Sequence, residues 1–466
     1  MNIEQALEKL GVQGFRPGQE EVISEVLKGR DGLAVMPTGY GKSLCFQLPA
    51  LVSEGTTLVM SPLIALMRDQ VQGLVRVGVA AETLNSHLED EERQAVLKRI
   101  RSGIVRLLYL APEQLYAEDL GEALKGLEMP RIIADEAHCI SQWGHDFRPA
   151  YRGVTSFLEE KKIDQRVGFT ATASDSVAAD IQKSLKMKDP FYFSADLYRP
   201  NLDYQVSKVD SSKEKARRLL DLIKEFNGNP GGILVYCSTR QEAVDLFDFL
   251  QRRGLSVAFY HGGMNEDRVE VEKQFLNNEV KIMVATNAFG MGVDKPDVRL
   301  LVHFNIPGNV ESYIQETGRA GRDGKDARCV LFYMEKDERL QEFFDEDRNP
   351  RFNLVNFVYN VLRVQASDAE MEVFLPLDYK KIERELLKFS RGKSKNPVPA
   401  LGVLQELGVI EMRGRRFKLC KGVDRAEVEA YFESRNQRMG DGFKKMLDYA
   451  KLDNPDQRQL IQLLKV

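Results

Sequence analysis

Cysteine is scarce in this 466-residue chain: Cys45, Cys139, Cys237, Cys329 and Cys420 are spread along it, with no C-x-x-C pair. That spacing excludes a disulfide framework and a Cys-rich zinc site, and it fits a reducing cytoplasm. There is one tryptophan and there are five histidines. No run of about 18 apolar residues occurs, so a membrane-spanning helix is not expected. Residues 1–5 lack a basic stretch leading into an apolar core, so no secretory signal is expected. Net charge is only −4, with 43% hydrophobic and 29% charged residues, which excludes a disordered or collagen-like chain.

Charge is unevenly placed. Residues 341–466 hold 23 Lys and Arg against 20 Asp and Glu, net +3, and the remainder is net −7. Within 380–418 there are 11 basic and 4 acidic residues, Arg413, Arg415 and Arg416 among them. A phosphate-facing surface and a solvated helix face both account for that stretch.

The length suggests about two to four domains. Apolar runs at 32–36, 57–60, 107–110, 131–134 and 167–169 read as strands buried on both faces, with amphipathic stretches such as 87–102 between them. A second set follows at 233–236, 257–260, 282–285, 300–303 and 329–332. Two alternating βα blocks predict an α/β protein with two doubly wound parallel-sheet domains, 1–205 and 206–340, joined in the polar stretch near 194–212. Beyond about 340, segments 379–390 and 398–409 read as helices, 409–419 as a β-hairpin and 424–464 as helical. The region 341–466 is therefore expected to be small and mainly helical, with a candidate winged helix at about 379–420.

Residues 32–43 run from a strand into Thr38-Gly39-Tyr40-Gly41-Lys42-Ser43, the tail of a phosphate loop. Glycine lets the chain curl so that backbone N–H groups face phosphate. Thr38, Gly39 and Gly41 would form the cradle, Lys42 would reach the β- and γ-phosphates and Ser43 would hold Mg²⁺. Pro37 stands at the usual first glycine, so the loop alone is also compatible with an ordinary turn. About 90 residues on, Asp135-Glu136-Ala137-His138 ends an apolar strand in two adjacent carboxylates. Asp135 would bind Mg²⁺ through water, and Glu136 would take a proton from the attacking water. His138 is compatible locally with a capping histidine and within this motif is read as a coupling group; metal ligation is not expected of it, because no second histidine stands at ligand spacing. Residues 315–322 place Arg319 and Arg322 three apart, beside Gln315, so that both arginines can face a γ-phosphate. They belong to the second block, which puts the nucleotide between the blocks.

Asp135–His138, Phe169-Thr170-Ala171-Thr172-Ala173 and 315–322 together resemble the motifs of superfamily 2 helicases. Over about residues 5–340 the chain is similar, more narrowly, to the RecQ family of DNA helicases. Gly14-Phe15-Arg16-Pro17-Gly18-Gln19 resembles that family's adenine-reading motif, which implies that Phe15, Arg16 and Gln19 place the base. Residues 61–70 resemble motif Ia, implying DNA contacts from Ser61 and Arg68. Residues 141–149 resemble the aromatic-rich loop that senses single-stranded DNA, which implicates Trp143, His145, Phe147 and Arg148. Bases stack on such side chains without sequence preference. Residues 236–240, 260–264 and 284–296 resemble motif IV, the short motif after it and motif V.

Two departures stand out. Tyr40 occupies a usual glycine position, and the four cysteines of the family's zinc-binding subdomain are absent, so no structural zinc is expected. The helical end, at 446–449 and 457–464, faintly resembles that subdomain's helices, and the family's final helical nucleic-acid domain has no clear counterpart.

The resemblance implies RecA-like domains, ATP and Mg²⁺ as cofactors, and a 3′→5′ DNA helicase of repair or recombination acting on single-stranded and duplex DNA. Arg413, Arg415 and Arg416 would then face DNA. A monomer is expected in the cytoplasm, nucleoid-associated if bacterial, with a single-strand-binding protein as candidate partner. An RNA helicase of the same superfamily and an ATP-switched DNA-binding or annealing module are the alternatives.

Overall fold

Apolar runs buried on both faces build two large sheets. The computed structural model describes the chain apart from residues 86, 142–150, 152–153, 227, 265–266, 291–294, 337–351, 367–372, 391–396, 414–415 and 466. In β1 (Gly32–Val35), Leu33 and Val35 enter one hydrophobic cluster while Ala34 enters another. One continuous apolar run thus serves two helical layers.

The first sheet adds β2 (Thr57–Met60), β3 (Ala81–Leu84), β4 (Leu107–Leu110), β5 (Arg131–Ala134), β6 (Gln165–Thr170) and β7 (Phe191–Ser194). All pairs are parallel, in the order β3-β4-β2-β5-β6-β1-β7. The second holds β8 (Leu202–Lys208), β9 (Gly232–Tyr236), β10 (Val257–Tyr260), β11 (Ile282–Ala285), β12 (Val298–His303) and β13 (Ala327–Tyr333). It too is parallel, in the order β10-β11-β9-β12-β13-β8. The doubly wound pair expected from the sequence is present.

Three strands were not among the expected runs, and all three lie at sheet edges. In β8, Leu202 and Tyr204 are buried while Asp203 and Gln205 are exposed, so the strand alternates and reads as polar. β3 and β7 are short, and each mixes buried residues with half-buried or exposed ones. The join expected at 194–212 therefore contains a strand, and a boundary at 205/206 would cut β8. The two sheets part instead between Ser194 and Leu202.

In the third region, helices Phe352–Gln365, Tyr379–Phe389 and Val398–Glu406 pack on a small antiparallel sheet. That sheet comprises β14 (Leu375–Pro376), β15 (Ile410–Arg413) and β16 (Arg416–Leu419), ordered β14-β16-β15. The hairpin lies where the alternation around Gly414 placed it. Helix Arg425–Lys451 then bridges two cores. Val428 near its start joins the small sheet's cluster, while Met446, Tyr449 and Ala450 join that of the second large sheet. Helix Gln457–Lys465 follows and buries Leu460, Ile461 and Leu464 against the same core, which includes Tyr313 and Ile314. The chain's last helices are thus part of the second lobe.

Leu460 is 0% exposed. Leu460→Ala is expected to destabilise the second lobe by about 2–5 kcal/mol, read as a lower urea midpoint for that lobe's transition. An unchanged midpoint would mean that the helix is only loosely laid on the lobe.

Candidate nucleotide site

The carboxyl ends of β1, β6 and β5 stand side by side in the first sheet, which is where open α/β sheets bind ligands. The loop after β1 curls at Gly39 (φ +78°) and Gly41 (φ +83°), left-handed conformations that a side chain would strain. Gln19 is buried beneath it and donates from Nε2 to the carbonyls of Tyr40 (3.1 Å) and Gly41 (3.0 Å). A Cβ on Gly41 would stand 2.6 Å from that nitrogen. Gln19 Oε1 accepts from the Arg16 amide at 2.7 Å, and Arg16 Nη1 donates to the Gly39 carbonyl. Phe15 packs against the neighbouring core. Arg16 and Gln19, expected with Phe15 to meet a base, thus grip the loop itself. Lys42 Nζ donates to the Met36 carbonyl at 3.1 Å. A phosphate would offer that ammonium a charged acceptor, which makes a stronger hydrogen bond than a carbonyl.

Ser43 is held by a partner that the sequence does not single out. Gln70 Nε2 donates to Ser43 Oγ at 2.8 Å. Gln70 Oε1 in turn accepts from Gln47 Nε2 at 2.6 Å and from the Tyr109 hydroxyl at 3.2 Å. Gln70 lies on helix Ile64–Arg76, two residues from the exposed Arg68. That helix therefore connects a surface cation to the hydroxyl on the phosphate loop. Ser61, expected to touch DNA, is buried at the end of β2, and its amide donates to the Leu110 carbonyl at 3.1 Å.

Asp135 and Glu136 follow β5. Burial and then the neighbouring Glu136 push the Asp135 carboxyl up from 3.8 to about 7, against the pull of Lys42. Glu136 takes a left-handed backbone (φ 49°, ψ 49°), strain of order 1–3 kcal/mol of a kind that collects at functional sites. Its Oε2 lies 3.4 Å from His138 Nδ1 and accepts no hydrogen bond among the described residues. His138 Nδ1 also meets Thr170 Oγ1 at 3.1 Å, and Thr170 donates to the Thr172 carbonyl at 3.0 Å. Glu136 is thus linked through His138 to Thr170 at the end of β6 and to the segment beyond it. A buried Asp135 beside a partly buried Glu136, with the Lys42 ammonium turned to a carbonyl and a serine hydroxyl on the adjacent loop, is a donor set that suits Mg²⁺.

The second lobe meets this loop from across a cleft lined by Pro37, Thr38 and Thr172 on one side and Gln315 and Gly318 on the other. A Cβ on Gly318 would lie 3.5 Å from Thr38 Cβ, and one on Gly39 would lie 3.3 Å from Arg322 Cγ. Arg322 is therefore beside the phosphate loop. Arg319 is not: it is buried, and its Nη1 donates to the Gly290 carbonyl within its own lobe. Glu316 accepts from His303 Nε2 at 2.6 Å, fixing helix Val310–Thr317 to β12.

Trp143, His145, Phe147, Arg148 and Arg415 lie outside the described residues. Arg413 ends β15 and Arg416 begins β16, where Arg416 is exposed, at a distance in sequence from every residue of the cleft. All five cysteines are free.

The folded Asp135 value lies above its ordinary one, so this residue holds a proton in the folded protein where the unfolded chain has lost it. Stability should therefore fall as pH rises through the window from about 4 to about 7. Asp135→Asn is expected to flatten that fall: its Tm should gain on the parent's between about pH 5 and pH 7.5 without nucleotide. Parallel Tm curves would remove the burial argument.

The DEAD/DEAH box helicase family matches residues 16–181, and the helicase conserved C-terminal domain matches residues 214–324. The ATP-dependent DNA helicase RecQ of Bacillus subtilis is 43% identical over 339 residues, 72% of this chain and 56% of that protein. The ATP-dependent helicase SGS1 of Saccharomyces cerevisiae is 40% identical over 347 residues, 72% of this chain and 24% of that protein. The chain spans about half the length of the bacterial RecQ relatives it matches. Among solved structures, the DUF1998 helicase MrfA bound to DNA and AMPPNP superposes with a TM-score of 0.62 at 20% identity, over 91% of this chain and 62% of that one. That likeness bears on the fold alone. Two parallel sheets facing one cleft, each matched by its helicase domain, and identities above 40% to bacterial RecQ proteins lead to one conclusion: the chain belongs to the RecQ family of DEAD/DEAH-box superfamily 2 helicases.

Proposed function

We propose that this chain is an ATP-dependent DNA helicase that moves 3′→5′ along single-stranded DNA and separates the duplex ahead of it. The observation that carries the reading is the meeting of Arg322 and Gly318 with Gly39 and Thr38 across the cleft. Phosphate-loop donors and paired carboxylates stand on one lobe and the arginines on the other. The DNA helicase names of the relatives support DNA as the substrate. The polarity is carried by the family resemblance.

In this reading Lys42 leaves the Met36 carbonyl for the β- and γ-phosphates of ATP. The backbone N–H groups at Gly39 and Gly41 cradle the phosphates. Ser43 and Asp135 would hold Mg²⁺, which supplies positive charge to the phosphate oxygens. Glu136 takes the proton of the attacking water, and His138 carries its state to Thr170. Arg322 meets the transferring phosphoryl group, and Arg319 leaves Gly290 to join it as the lobes close. Cations that act only in the closed state lower the barrier for hydrolysis and tie it to lobe movement. Phe15, Arg16 and Gln19 would place adenine, Arg16 and Gln19 through their grip on the loop. Arg68 and the loop carrying Trp143, His145, Phe147 and Arg148 would bear on single-stranded DNA, with Arg413, Arg415 and Arg416 on the duplex.

The test is strand separation of duplexes with a 3′ or a 5′ single-stranded tail, in ATP and Mg²⁺. Unwinding from the 3′ tail alone is expected. DNA-stimulated hydrolysis with no strand separation would sink the helicase reading and leave an ATP-driven switch, and stronger stimulation by RNA would overturn the choice of nucleic acid. Lys42→Ala should abolish hydrolysis while leaving DNA binding intact. Trp143→Ala should cut stimulation by DNA more than basal turnover, and equal losses would sink its sensor role.

A further inference from the structure

The arginine segment is held from behind as well as facing the phosphate loop. Arg199, in the connection between β7 and β8, donates from Nη1 to the Gly318 carbonyl at 3.1 Å and from Nη2 to the Gly321 carbonyl. The Gly318 carbonyl immediately precedes Arg319, and the Gly321 carbonyl immediately precedes Arg322. Asn201 reinforces the grip, donating from Nδ2 to the Gly321 carbonyl at 2.9 Å. Arg199 is itself held by the chain's last helix. Gln457 Oε1 accepts from the Arg199 amide at 2.9 Å, and Gln457 Nε2 donates to the Leu197 carbonyl at 3.3 Å. Gln457 is 5% exposed and borders the same cleft as Thr38 and Gly318. Arg458 covers the Tyr198 ring at 4.9 Å.

A primary amide that both donates to and accepts from one three-residue stretch fixes that stretch in position and in rotation. The connection is the only described stretch of backbone that joins the two large sheets directly in sequence. Its hold on Gly318 and Gly321 decides where the arginines sit relative to the lobe join. The apolar contacts of Leu460 and Ile461 keep Gln457 from moving independently of helix Val310–Thr317. The helix that carries Gln457 belongs to the region where the family resemblance fades.

We infer that Gln457 is a positioning residue for phosphoryl transfer: acting through Arg199, it sets the arginine segment at the lobe join, so that the C-terminal helix governs turnover. The inference rests on the ATPase reading above. In the reading above, the phosphate loop and the carboxylates that bind nucleotide lie on the other lobe, so the effect falls mainly on kcat, with KM for ATP little changed.

Gln457→Met keeps the volume and removes both hydrogen bonds. Gln457→Glu keeps an acceptor for the Arg199 amide. Gln462→Ala, at an exposed position on the same helix, is the control. DNA-stimulated hydrolysis and amide hydrogen exchange are measured on the full chain. Gln457→Met should lower kcat about tenfold, as small misplacements of reacting groups do, with KM for ATP within about twofold. Exchange should quicken at both 197–201 and 318–322, Gln457→Glu should recover most of the loss, and Gln462→Ala should match the parent. Unchanged kcat with quickened exchange would overturn the inference, as would a rise in KM equal to the fall in kcat. If the parent hydrolyses no ATP, the functional reading fails on its own. Exchange then decides the clamp, and unaltered exchange at 318–322 in Gln457→Met overturns it.

Discussion

Gly318 of the second lobe lies against Thr38 of the first, with Arg322 beside Gly39, and what the two sheets do together depends on this contact. The phosphate loop and the carboxylates of Asp135 and Glu136 share one rigid sheet, and the arginines share the other. A ligand carrying several negative charges would draw these two bodies together. Between them such a ligand strengthens both sets of contacts at once, because water is excluded as the cleft closes. Division of the charges between two bodies is what makes lobe separation responsive to a nucleotide in the proposed cycle.

The loop is held by partners within its own lobe. Gln19 fills the carbonyls of Tyr40 and Gly41, Arg16 takes that of Gly39, Lys42 takes that of Met36 and Gln70 takes the hydroxyl of Ser43. A curled loop whose carbonyls are satisfied keeps its shape, whereas an unsatisfied one would collapse or bind water. Of these partners, the Met36 carbonyl on Lys42 is the one that a phosphate would replace. Lys42 trades a neutral carbonyl for a charged oxygen, and charge-assisted hydrogen bonds are roughly twice as strong. Gln70 adds a second link, because the helix that presents Arg68 to solvent also holds Ser43.

Apolar packing extends this arrangement to the chain's last helices. Helix Arg425–Lys451 has one end in the core of the small antiparallel sheet and the other in that of the second lobe. Met446, Tyr449 and Leu460 are fully buried there against the helix that precedes Arg319. Side chains of this kind tie the small sheet to the arginine segment through packed contacts that have little freedom to slide.

The amino-acid sequence by itself determined the central strands, the phosphate loop, the acidic pair and the order of the motifs. Strands buried on both faces must be apolar without interruption, so β1, β2, β4 and β5 are legible as runs. Glycine spacing and adjacent carboxylates are equally local, because the chemistry needs those residue types next to one another. The edge strands β3, β7 and β8 were not legible: β8 alternates and resembles a polar loop, while β3 and β7 interrupt their buried positions with half-buried or exposed ones. Tertiary structure alone decided that Arg322 reaches the loop while Arg319 turns to Gly290, although three residues separate them in one motif. It alone paired Gln70 with Ser43 and Gln457 with Arg199, across 27 and 258 residues of sequence. Hydrogen-bond partners so far apart leave no periodic trace in the chain. Each side chain is an ordinary glutamine until folding brings its partner within about 3 Å.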